Sequence, residues 1–85
     1  MITEAQINEA HAQATVSRGP RKGRLKHQCP PMGTLAAAYW QGAAAGFCTH
    51  KLGIAHLMWF TDEQREMFDI VREQARAIRL RKMAA

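Results

Sequence analysis

Apolar residues are concentrated in the last two-thirds of the chain, and their spacing is helical. Met67, Phe68, Val71, Ala75 and Ile78 fall on one face of a 3.6-residue repeat, the pattern of an amphipathic helix with a single buried stripe. Just ahead of them, Thr61-Asp62-Glu63-Gln64 has the form of a capping box, in which Thr and Gln each satisfy a backbone N–H of the first turn. Asp62, Glu63 and Glu66 crowd the start, and Arg76, Arg79, Arg81 and Lys82 the end, as the helix dipole favours. The pattern predicts a helix from Asp62 to about Lys82.

Upstream, Thr34 is a suitable N-cap for a helix from Leu35 to about Gly46, where Ala36–Ala38 and Ala43–Ala45 flank Tyr39 and Trp40. Ala38, Gly42 and Gly46 recur every four residues, leaving a stripe almost without side chains where another helix can approach closely. That partner is either a helix of this chain or one from another protein. Between the two helices, Lys51-Leu52-Gly53-Ile54 reads as a turn and Ala55–Phe60 as a short apolar helical turn. Thr3-Glu4-Ala5-Gln6 is a further capping box, predicting a first helix to about Val16 with only Ile7, Ala10 and Ala14 on its apolar side. Ser17-Arg18-Gly19-Pro20 ends it.

From Arg18 to Gly33 neither helical nor strand periodicity persists. Arg18, Arg21, Lys22, Arg24 and Lys26 stand without an acid among them, punctuated by Gly19, Pro20, Gly23, Pro30, Pro31 and Gly33. The composition predicts an extended basic arm. The expected fold is therefore all-α, a small three- to four-helix domain with an extended basic arm, divided into an N-terminal helix (1–17), the arm (18–33) and a helical core (34–85).

Composition sharpens this picture. In 85 residues there is room for one thin core, since a chain of this size buries roughly 60–65% of the surface it exposes when unfolded. Fifteen alanines inflate the 47% hydrophobic fraction while adding little buried area. Twelve Lys and Arg against seven Asp and Glu give a charge of +5, which favours an acidic partner: nucleic acid or an acidic protein surface. No apolar run is long enough to span a bilayer, so no membrane partner is expected. Met1-Ile2-Thr3-Glu4 lacks the order of a signal peptide, so a cytoplasmic location is expected. Small size and basic character resemble accessory proteins of phages and other mobile elements.

Tyr39-Trp40-Gln41-Gly42, followed after nine residues by Leu52-Gly53-Ile54, resembles the helix-turn-helix DNA-binding domain. The resemblance covers residues 35–60 and implies a tight turn before a recognition helix. The segment in the recognition position, Ala55-His56-Leu57-Met58-Trp59-Phe60, is apolar, and the next helix opens on acids. Phosphate contacts therefore fall to the basic arm.

His27-x-Cys29 and Cys48-x-His50 supply four residues of zinc-ligand type. Two reduced thiols and two surface histidines are the alternative, and a Cys29–Cys48 disulfide is disfavoured without a secretory signal. The sequence requires no cofactor; zinc is the metal it could hold. No enzyme is expected. Cys48 and His50 could pair as nucleophile and base, but no acid is placed to orient the histidine.

Three functions are compatible with these features. The first is a nucleic-acid-binding accessory protein whose Arg18, Arg21, Lys22, Arg24 and Lys26 neutralise phosphates, with the helices orienting the arm or forming a homodimer. The second is an inhibitor or adaptor within a larger protein complex, where the arm and an interface around Trp40, Gly42, Gly46 and Trp59 engage an acidic or nucleic-acid-binding groove. The third is a small zinc module at His27, Cys29, Cys48 and His50.

Overall fold

A computed structural model describes residues 1–47 and 60–84. These residues form three helices, α1 (Glu4–Ala14), α2 (Leu35–Phe47) and α3 (Asp62–Ala84). Among the described residues the only β feature is an isolated antiparallel bridge between Thr15 and Leu25, so the fold is all-α. The Leu52-Gly53-Ile54 turn, the apolar turn around Trp59, Cys48 and His50 lie outside the described residues.

Each helix begins at the threonine its sequence nominates. At Thr3 the Gln6 amide donates to the threonine Oγ1 while the Thr3 amide donates to Gln6 Oε1, and Thr61 and Gln64 repeat the exchange at 3.2 and 2.8 Å. Thr34 caps α2 by accepting from the Ala37 amide, its hydroxyl donating in turn to the Pro31 carbonyl. These reciprocal bonds satisfy donors that a helix start leaves orphaned.

α2 is the central element, and both other helices pack on it. Its small-residue stripe meets α3 of the same chain. A Cβ built on Gly42 would stand 2.7 Å from the Phe68 carbonyl oxygen, and one on Gly46 would stand 2.5 Å from Ala75 Cβ. The two backbones are therefore in direct apposition, and the contacts advance in the same direction along both helices. Met67, Phe68, Val71 and Ala75 are buried there, joined by Ala38 and Ala43 of α2 and by Ala10 of α1. Phe60 packs its ring on that of Phe68 at 5.8 Å, tilted by 54°.

Two expectations are corrected, and one further residue joins the core. Ile78 is 38% exposed and leaves the stripe, because α3 continues beyond the α2 residues that cover it. α1 stops at Ala14: Thr15 turns extended, its hydroxyl donates to the His11 carbonyl, and its backbone pairs with Leu25. Ile2 joins the core although nothing in its neighbourhood predicts burial, its amide donating to Glu66 Oε2 at 3.1 Å.

Among the described residues no helix is long and apolar enough to cross a membrane.

Candidate nucleic-acid interface

In place of an extended arm, the segment after α1 doubles back on itself. The Val16 amide donates to the Arg24 carbonyl, the Gly23 amide to the Val16 carbonyl and the Lys26 amide to the Ala14 carbonyl, at 2.8–3.0 Å. Inside this ring, Lys22 and Arg24 donate to the Gly19 and Arg21 carbonyls. Such a turn needs the left-handed backbone that glycine adopts without steric cost, and Gly19 and Gly23 have φ of 84° and 86°. The glycines that read as helix breakers are the corners of a closed loop.

Two contacts hold the loop to the helices and a third braces it from within. Leu25 tucks half-buried against the core, the Trp40 indole donates to the Lys26 carbonyl at 2.8 Å, and Arg21 donates to both the Leu25 carbonyl and the His27 imidazole. Trp40 thus anchors the loop from α2 and is half-buried in doing so.

Arg18, Arg21, Lys22, Arg24 and Lys26 are all exposed on this loop. The ion pairs among the described residues are Met1 with Glu66 and Arg72 with Asp69; neither engages the loop. Five cations on a backbone fixed by its own hydrogen bonds constitute a preorganised, uncompensated positive surface.

Beneath the loop opens a cleft of about 620 Å³. Arg21 and Arg24 enter it from the loop, and Lys82 from the far end of α3. Its floor is apolar, made by Leu25, Ala43, Val71, Ala75 and the partly exposed Ile78. Phe47, 45% exposed at the end of α2, stands at one side. Across from the loop, His11 Nδ1 and Tyr39 Oη share a hydrogen bond of 2.7 Å, with the two rings edge to face. Burial pushes the Tyr39 phenol above its ordinary value, because the phenolate loses solvation there. Gln74 contributes an amide, and no described carboxylate lines the cleft.

The residues nominated from sequence are thus partly brought together. The five loop cations are all exposed on one hydrogen-bonded loop, and Arg21 and Arg24 also line the cleft. Gly42 and Gly46 are buried against α3 of the same chain. His27 gives its Nε2 to Arg21 at 2.6 Å, so a metal ion would have to displace that guanidinium. Cys29 is a free, half-buried thiol whose sulfur accepts from Gln41 Nε2 at 3.7 Å. No group of three metal-ligand residues occurs among the described residues; the other two nominated ligands, Cys48 and His50, lie outside them. Sequence reasoning missed His11, Tyr39, Phe47, Gln74 and Lys82 as parts of one cleft. The only signal for it was the mixture of aromatic and basic residues near the ends of α2 and α3.

No protein-family model matches the chain, and neither a curated protein nor a solved structure matches it.

Proposed function

We propose that the chain is a nucleic-acid-binding protein whose closed loop, residues 15–26, contacts the phosphate backbone. The observation that carries this reading is the display of Arg18, Arg21, Lys22, Arg24 and Lys26 on one hydrogen-bonded loop with no carboxylate paired to them among the described residues. Such a surface attracts a polyanion and binds it by releasing the counterions condensed on the phosphates. Holding the cations on a fixed backbone reduces the ordering that binding must otherwise impose. Affinity of this kind is largely independent of base sequence, since phosphates position a protein without specifying bases.

The test is fluorescence anisotropy with labelled DNA and RNA oligonucleotides across a range of salt concentrations. If all five cations neutralise phosphates, the logarithm of the association constant falls against the logarithm of salt with a slope of roughly −4 to −4.5 on duplex DNA. Absent or salt-insensitive binding overturns the reading. An acidic protein surface is the competing partner; nuclease-resistant capture of one stoichiometric protein, without oligonucleotide binding, would select it.

A further inference from the structure

We propose that the cleft beneath the loop takes an unpaired nucleobase, so that the chain prefers single-stranded nucleic acid over duplex. The inference rests on the phosphate-binding reading and gives it a substrate class.

The loop and the cleft share two cations. Arg21 and Arg24 belong to both, so a strand whose phosphates lie on the loop carries its bases across the cleft mouth. There the surface ceases to be purely cationic. Phe47, 45% exposed, lines the cleft together with the apolar Leu25, Val71 and Ile78, and the His11–Tyr39 pair and Gln74 supply hydrogen-bonding groups. An aromatic platform combined with a basic track is the arrangement that binds single strands, because every base has a π-face to stack. The cleft volume, about 620 Å³, lies within the roughly 300–1,000 Å³ of sites that accept small organic groups. A duplex keeps its bases stacked inside, so it would engage the loop cations and leave Phe47 unused. Lys82, near the end of α3, adds positive charge to the cleft lining, and no described carboxylate opposes it.

The experiment compares a labelled single-stranded oligonucleotide with its duplex at matched salt, using the parent chain, Phe47→Ala and Ile78→Glu. Both altered side chains are partly exposed, and circular dichroism verifies that each variant folds. The parent is expected to bind the single strand more tightly. Phe47→Ala is expected to weaken single-strand binding about 5- to 150-fold, the range for losing one base–aromatic stack, while leaving duplex binding and the salt slope unchanged. Ile78→Glu, which places a carboxylate in the cleft, is expected to act in the same selective direction.

Equal affinity for both forms together with a silent Phe47→Ala overturns the base-binding inference and leaves the phosphate-binding reading standing. Equal loss on both forms does the same, since it makes Phe47 part of a general surface. Displacement of the oligonucleotide by an acidic peptide, with its own binding abolished by Phe47→Ala, would assign the cleft to a protein partner. A parent dimer that Phe47→Ala dissociates would assign it to a second copy of the chain. Failure of both oligonucleotides to bind overturns the phosphate-binding reading and this inference with it.

Discussion

Gly42 of α2 and Phe68 of α3 touch backbone to backbone: a single added carbon on the glycine would stand 2.7 Å from the Phe68 carbonyl oxygen and 3.2 Å from its Cα. Backbone on both sides leaves nothing flexible to yield. Gly42→Leu is therefore expected to prevent the helices from docking, read as loss of the cooperative thermal transition. The milder Gly46→Ala gains about 1 kcal/mol of helix propensity but meets Ala75 Cβ and the Arg72 carbonyl at 2.5 and 2.6 Å. Overpacking of about 1–3 kcal/mol outweighs that gain, so a net loss of stability in urea denaturation is expected.

Phe68 and Met67 are the largest fully buried side chains among the described residues. In a thin core neither vacancy can be refilled by neighbours. Phe68→Ala should cost about 3–5 kcal/mol and Met67→Ala about 2–5 kcal/mol, measured as the shift in urea midpoint at constant slope. A change near zero would place α3 in another register.

Replacing Arg18, Lys22, Arg24 and Lys26 together by Gln should leave helix content and melting temperature nearly unaltered, since all four side chains are exposed and unpaired among the described residues. The same variant should flatten the salt dependence of duplex binding by roughly 3–4 in log–log slope. Arg21 is kept because its guanidinium also ties Leu25 to His27; adding Arg21→Gln should lower stability as well as affinity.

Tyr39 gives a pH signature. Its folded-state pKa lies above the ordinary value of 10.0 because burial disfavours the phenolate. Folding therefore binds this proton more tightly than the unfolded chain does, and the stability it contributes is complete below pH 10.0 and lost as pH rises through the folded value. As the chain's sole tyrosine, it can be titrated by tyrosinate absorbance, with a midpoint expected above 10.0 in the folded protein and at the ordinary value in urea. Tyr39→Phe should abolish this component of the alkaline stability loss.

Local signals in the sequence were reliable guides to the fold where they depended on neighbours a few residues apart. Thr3, Thr34 and Thr61 cap the helices they nominate, because capping needs only the next three amides. The Gly42/Gly46 stripe and the Phe68 face likewise followed from periodicity. The loop did not, because its closure depends on a Thr15–Leu25 pairing and on a Trp40 indole reaching back fourteen residues to Lys26. A composition rich in Gly, Pro and Arg reads equally as an open arm or a ring, and single long-range bonds decide between them. The cleft was hidden for the same reason: its walls come from four segments, and Ile78, which the periodicity places on the buried stripe, stands partly exposed in it. The helix-turn-helix resemblance covers residues 35–60, of which 48–59, with the Leu52-Gly53-Ile54 turn, lie outside the described part of the chain.

The ring of backbone bonds from Ala14 to Lys26 also makes this segment a gauge of its own opening. Arg18, Arg21, Lys22, Arg24 and Lys26 place more trypsin-type bonds here than in any stretch of equal length before α3. A protease must draw several residues into extended form, which the left-handed Gly19 and Gly23 and the bonds from Val16, Gly23 and Lys26 resist. Cleavage then proceeds only through transient release of the ring, and its rate at low protease tracks the free energy of that release. The most basic surface of the molecule is thereby shielded from digestion by its backbone hydrogen bonds, and a variant that loses the Trp40 tether should be nicked there first.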